Sequence, residues 1–167
     1  YTPLGQAILK LFTHLRQALI TQYPSLSAGQ VKAYLFGGAA MHLYTNARSS
    51  SDVDAQLDAR IRLDTDIVIT YEDESGKLYY LALDTHFNDT LGLFHPDYRQ
   101  AAIPLQLQQD SPLWLYVASP LDLAVSKTGR WADIDRTDIQ TLAEHKLITE
   151  PEFTQRAEEA LQYWVGN

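Results

Sequence analysis

The chain contains no cysteine, which excludes disulfides, thiolate metal sites and cysteine nucleophiles and makes a reducing compartment, the cytoplasm, the expected location. No unbroken apolar run approaches the roughly eighteen residues of a membrane-spanning helix, so no membrane association is expected. The first residues do not join a basic stretch to an apolar one, the pattern of a secretory signal, although a processed segment could precede Tyr1. Positive charge is also short: 13 Lys and Arg against 21 Asp and Glu leave a formal net charge of -8. Non-specific nucleic-acid binding draws its affinity from counterion release by Lys and Arg, so a broad surface of that kind is not expected. A local basic pocket stays open, with Arg48, Arg60, Arg62, Lys127 and Arg130 as candidates. A small anionic substrate would need those charges, or a bound cation, to offset repulsion from the acidic surface.

What is present suits one core. With 167 residues, 46% of them hydrophobic, the chain is long enough to fold alone and short for two full domains. Leu4, Ala7, Ile8, Leu11, Phe12, Leu15, Ala18, Leu19 and Tyr23 recur at helical spacing, which predicts an amphipathic helix over 4–23 that ends at Tyr23-Pro24. Val31–Phe36 reads as a strand, Ala39–Tyr44 as a short helix, and Val53–Leu57 as a second strand. Alternation resumes through Ile61 and Leu63 and again through Ile67, Ile69 and Tyr71; Asp73-Glu74-Ser75-Gly76 then turns the chain into a returning strand, Leu78–Leu83. Further strands are expected over 103–107 and 113–117. From Ser119 the pattern is helical, with capping signatures at Ser119-Pro120-Leu121-Asp122 and Thr149-Glu150-Pro151-Glu152 around a helix over 133–145. The expected fold class is α/β (α+β): a mixed sheet of about five strands flanked by helices. A core over 1–118 with the N-terminal helix would carry a helical extension over 119–167.

The chemistry concentrates in residues 37–55. Asp52 and Asp54 stand one residue apart at the start of a strand, where side chains repeat every second residue. Both carboxylates therefore leave one face and could hold a divalent cation between them. Gly37-Gly38, at the end of the preceding strand, offers backbone that can approach a phosphate closely. Magnesium, or manganese in its place, takes hard oxygen ligands, usually a few carboxylates completed by water and substrate phosphates. Asp84, ending the antiparallel return strand, is the choice for a third acid; its plainer reading is a cap on the turn Thr85-His86. Asp58, Asp64 and Asp66 are rivals, with Asp58 sharing the parity of the pair only if its strand runs on past Leu57.

Phe36-Gly37-Gly38 followed, after residues 39–51, by Asp52-Val53-Asp54 resembles the signature of the nucleotidyltransferase superfamily with the DNA polymerase beta palm-like fold. Ser51–Ala55, Leu93–Tyr98, Ser119–Lys127 with Arg130, and Asp135–Ile139 resemble the bacterial DUF6036 group, related to the AbiEii-like nucleotidyltransferases of toxin–antitoxin and abortive-infection systems. The likeness covers about residues 30–145. It implies a magnesium site at Asp52, Asp54 and Asp84, phosphate contact at Gly37 and Gly38, and a triphosphate contact at Lys127, beside Arg130. It also implies transfer of a nucleoside monophosphate from a nucleoside triphosphate to a hydroxyl on protein or RNA, with a cognate toxin or antitoxin as a partner. Many members of the superfamily carry serine where this chain has Gly38, which leaves backbone contact alone at that place. A non-catalytic antitoxin or regulatory protein-binding module on the same fold is the alternative.

The remaining polar residues have plainer readings. Lys127 and Arg130 lie three apart near a helix exit, where solvated cations favour the helix dipole. Asp135 and Asp138 are expected to cap a helix or clamp those two cations. His42 reads as a packed helix residue, and His86 and His95 lack a second ligand at metal spacing. Tyr79, Tyr80 and Tyr98 read as packing before base stacking, and Trp164 as a docking residue of the last helix.

Overall fold

The computed structural model describes residues 1–84 and 86–165, with Leu91 described along its backbone alone. The chain divides into two units, Tyr1–Phe87 with Pro104–Val117 and Asn88–Ile103 with Ala118–Asn167. Thr85, half of the turn expected after Asp84, and Gly166 and Asn167, the end of the expected helical extension, lie outside the described residues.

In the first unit, helix α1 (Pro3–Gln22) begins where Thr2 accepts a hydrogen bond from the Gly5 N–H, with Pro3 in the first turn. Its predicted stripe is buried: Leu4, Ala7, Ile8, Leu11, Phe12, Leu15 and Leu19 face inward. Each large side chain so buried contributes roughly 1.5–3 kcal/mol relative to exposure. Strand β1 (Val31–Leu35) leads into helix α2 (Gly37–Thr45), which ends at Asn46 in the left-handed conformation. Then come strands β2 (Asp52–Leu57), β3 (Val68–Glu72) and β4 (Leu78–Asp84). After helix α3 (Tyr98–Ala101), which belongs to the second unit, strands β5 (Ile103–Gln106) and β6 (Leu113–Val117) complete the sheet.

The sheet is mixed and has six strands, one more than the expected number, in the order β3-β4-β2-β1-β6-β5. β3 and β4 form the predicted antiparallel hairpin, turned by Asp73, whose Oδ1 accepts from the N–H groups of Ser75 and Lys77. β2 is antiparallel to β1, whereas β4 runs parallel to β2 and β6 parallel to β1. On β2, β3 and β4 the side chains alternate: Val53, Ala55, Ile69, Leu81 and Leu83 are buried, and α1 packs on β3 and β4.

No strand forms where alternation runs through Ile61 and Leu63. The two residues are half-buried between exposed neighbours, as their pattern suggests, yet residues 58–66 form a loop. The β1–β2 ladder closes at Asp58, which donates its N–H to the Lys32 carbonyl and accepts from the Lys32 N–H at 2.7 Å. Beyond that point no neighbouring strand offers a ladder, and pattern alone does not make one.

In the second unit, helices α4 (Pro120–Ser126), α5 (Asp133–Glu144) and α6 (Glu150–Gln162) follow the predicted capping signatures. Ser119 accepts from the Asp122 N–H, and Glu152 reaches back to the N–H and hydroxyl of Thr149. Leu93, Val125 and Ala160 form a buried cluster with Phe153 and Ala157 packed against it.

Candidate functional site

The register of the sheet decides where the acids stand. Asp52 pairs with Ala82, Val53 with Leu83 and Asp54 with Asp84 across the parallel β2–β4 ladder. Paired residues project to the same face, and Asp52 shares the parity of Asp54, so all three carboxylates occupy the face opposite the buried Val53 and Leu83. Asp84 also fulfils its plainer role: its Oδ1 accepts the His86 N–H at 2.8 Å. Among the described residues no group of three His, Asp or Glu side chains is gathered closely enough to hold an ion.

Gly37 lies hard against this row. Its φ is +62°, and a Cβ built there would overlap the Asp54 Oδ2 and come within 2.9 Å of its Cγ. The Phe36 N–H donates to the Asp54 carbonyl at 2.8 Å, which ties the start of α2 to β2. Glycine is required here on two counts, backbone conformation and the close approach of a carboxylate. Over Gly38 the space is taken by another residue: a Cβ there would stand 3.1 Å from Ser50 Cβ, 3.2 Å from Ser50 Oγ and 3.7 Å from Arg48 Nε. Ser50 donates its hydroxyl to the Asp52 carbonyl at 2.5 Å. Ser50 was hidden in a polar turn, and the only signal in the sequence was the unusual Gly38 itself.

His42 is the packed helix residue its setting suggests. Its Nδ1 donates to the Arg48 carbonyl at 2.6 Å, and its Nε2 shares a hydrogen bond with the Thr2 hydroxyl at 2.5 Å. A carbonyl can only accept, so Nδ1 carries a proton toward Arg48. The ring thus anchors both the loop carrying Arg48 and the N-terminus of α1.

Beyond the carboxyl ends of β2 and β4 lies a cavity of about 370 Å³ lined by Gln56, Arg60, Arg62, Asp66, Asp84 and Phe87, among others. Phe87 stacks on Phe36 with ring centroids 5.6 Å apart. Of the rival acids, Asp58 is used in the β1–β2 ladder and Asp66 borders this cavity.

Lys127 and Arg130 belong to the second unit, and there each is clamped by one of the expected aspartates. Lys127 Nζ lies 2.6 Å from Asp138 Oδ2, with both side chains buried. Arg130 donates through Nε and Nη2 to the two oxygens of Asp135, both at 2.8 Å. The Arg130 guanidinium, helped by the Ala132 N–H, holds the Asp135 carboxyl below its ordinary range against the opposing effect of burial. Asp138 is buried while Arg130 remains 69% exposed, so the second cation presents its outer edge to solvent.

A second ionic chain in this unit joins residues far apart in the sequence through Arg156. Asp122, buried in α4, receives Arg156 Nε and Nη2 at 2.9 Å and the Ser119 hydroxyl at 2.7 Å. Arg156 also reaches Asp97, and His95 lies between Asp97 and Glu159, at 2.6 and 2.9 Å. His95 is therefore part of a structural network, while His86 is exposed. Tyr98 is buried and donates its hydroxyl to Asp89; burial, then that carboxylate, pushes the phenol well above its usual range. Tyr71 and Tyr79 stack on each other, and Tyr80 is exposed.

No match was found among curated protein sequences. The chain is similar to a crystal structure of an antigenic nucleotidyltransferase-like protein from Paracoccidioides brasiliensis, with 15% identity, 98% of this chain and 87% of that one covered, and a TM-score of 0.47. The model of the family DUF6036, described as a nucleotidyltransferase of unknown function, matches residues 7–167, and the chain belongs to that family of enzymes.

Proposed function

We propose that the chain is a magnesium-dependent nucleotidyltransferase whose reacting centre is the Asp52–Asp54–Asp84 face. The observation that carries this reading is the Asp54–Asp84 register, with Asp52 on the same face and Gly37 against Asp54. A row of carboxylates is the donor set a hard cation takes, and the side-chain-free surface of Gly37 keeps one of those carboxylates beside backbone. The donor chemistry fits, and Asp52, Asp54 and Asp84 would hold magnesium or manganese once their side chains turn toward one point on that face. When bound, the ion supplies charge neutralisation of the triphosphate and a lower pKa for the acceptor hydroxyl.

The residues of the chain do the rest by placement. The first N–H groups of α2, at Gly37 and Gly38, have no helical partners and favour a phosphate oxygen. Asp84, which borders both the acid row and the cavity, orients the acceptor hydroxyl. The acceptor oxygen bonds to the α-phosphorus in line, the bond to the β-phosphate bridging oxygen breaks, pyrophosphate leaves, and the hydroxyl proton passes to solvent. Positioning and charge stabilisation carry most of such a rate. The resemblance to toxin–antitoxin nucleotidyltransferases supports action within such a pair in the cytoplasm.

Incubation of the chain with each labelled nucleoside triphosphate, magnesium or manganese, and protein, RNA and small-molecule hydroxyl acceptors tests the reading. Metal-dependent labelling that D52A and D54A abolish is the expected result. Full activity in both folded variants would overturn the site.

A further inference from the structure

The acid row accounts for a donor nucleotide but not for the two arginines beside it. Arg60 and Arg62 stand on the loop that leaves β2, and both line the cavity that Asp84 borders. Neither guanidinium has a hydrogen bond or ion pair among the described residues, although the chain carries 21 acids. The contrast with the rest of the molecule is clear, because Arg99, Arg130, Arg136 and Arg156 all hold carboxylates. Two unpaired guanidinium groups bordering one cavity leave their planar donor forks available to an oxyanion.

We propose that this cavity binds the phosphate of the acceptor, and that the acceptor is a small phosphate-bearing hydroxyl compound. The inference rests on the nucleotidyltransferase reading for the word acceptor alone; the anion site itself follows from the cavity. Its volume of about 370 Å³ lies at the small end of ligand pockets, enough for one phosphorylated sugar-sized group. Asp84 and Asp66 both line the cavity and repel a second anion, so the phosphate is held at the arginines and the uncharged hydroxyl faces Asp84. That orientation brings the nucleophilic oxygen, and not the phosphate, to the acid row. A net charge of -8 and only two cations at the cavity disfavour a long nucleic-acid chain as the occupant.

Calorimetric titration of the full chain at low salt with EDTA present tests the proposal, using inorganic phosphate, glycerol 3-phosphate, glycerol and a short ribo-oligonucleotide as probes. Phosphate and glycerol 3-phosphate should bind and glycerol should not. R60A/R62A, with both changes on an exposed loop, should weaken binding roughly tenfold or more, whereas D52N/D54N should not weaken it. In the wild-type chain, glycerol 3-phosphate should shift the side-chain Nε–H resonances of Arg60 and Arg62, a readout that needs no variant. Equal binding by R60A/R62A, unshifted arginine resonances, or no phosphate binding by the wild type would each overturn the proposal. An oligonucleotide that binds more tightly than glycerol 3-phosphate through the same arginines would overturn the small-molecule assignment. Loss of metal-dependent transfer with this binding intact would instead count against the reaction, so the two readings fail separately.

Discussion

Asp54 and Asp84 are direct partners across the parallel β2–β4 ladder, although they are far apart in the chain and only Asp84 stands at the end of its strand. The register sets two carboxylates side by side on one sheet face, where a hard cation would find oxygen donors. Manganese or magnesium should therefore raise the melting temperature of the wild-type chain. At a free concentration one hundred times Kd the gain is about 2.7 kcal/mol. D54N/D84N should show no gain with metal; a full metal response in that variant, read by calorimetry, would remove these two residues from the site.

Transfer should depend unequally on the acids. D54A should lower the rate roughly a hundredfold or more, as loss of an inner ligand does. D84N keeps an acceptor for the His86 N–H, so it should fold normally and lose rate without losing nucleotide affinity. Single-turnover kinetics beside nucleotide binding separates the two effects.

Gly37 should tolerate nothing larger. Alanine there meets the Asp54 carboxylate and adopts φ of +62° at a cost, so G37A should lose about 2–4 kcal/mol of stability from strain and overpacking together. G37A/D54G removes the overlap and should recover part of that loss in urea unfolding, leaving only the backbone strain. Equal stabilities for the single and double variants would mean that the carboxylate moves aside freely.

The Lys127–Asp138 pair should behave as a buried pair. D138A leaves an uncompensated buried ammonium and should cost about 3–5 kcal/mol, while K127M/D138L should cost much less. Denaturant midpoints of the two variants decide it. If both unfold alike, the pair is not desolvated in solution.

Acid should weaken the clamp on α5. The Arg130 side chain depresses the folded-state pKa of Asp135 below its ordinary value of 3.8. The stabilisation is therefore present above that value and lost as pH falls through the lower folded one. The exposure of Arg130 keeps the effect small. Unfolding from pH 6 to pH 2 should show D135N less sensitive to acid than wild type, and parallel curves would refute the linkage.

Helices and strand pairs that depend on neighbours in sequence were legible. The stripe of α1, the Asp73 hairpin turn and the caps at Ser119 and Thr149 each rest on residues within a few positions of one another. The parity of Asp52 and Asp54 was legible for the same reason, since it needs only an extended backbone. The loop over 58–66 was not, because its alternation resembles a strand until one asks which neighbour would accept its hydrogen bonds.

What the sequence by itself determined is therefore local: a carboxylate pair on one strand face, a glycine pair before it, and cations spaced to meet the acids of a following helix. Only the tertiary structure decided that Asp84 stands beside Asp54, that Ser50 covers Gly38, and that Arg60 and Arg62, whose guanidinium groups are unpaired among the described residues, border one cavity. The reason is physical. Backbone parity and capping act through neighbouring bonds, whereas strand order and register follow from burying Val53, Leu81 and Leu83 together, a sum over distant residues that no local pattern carries.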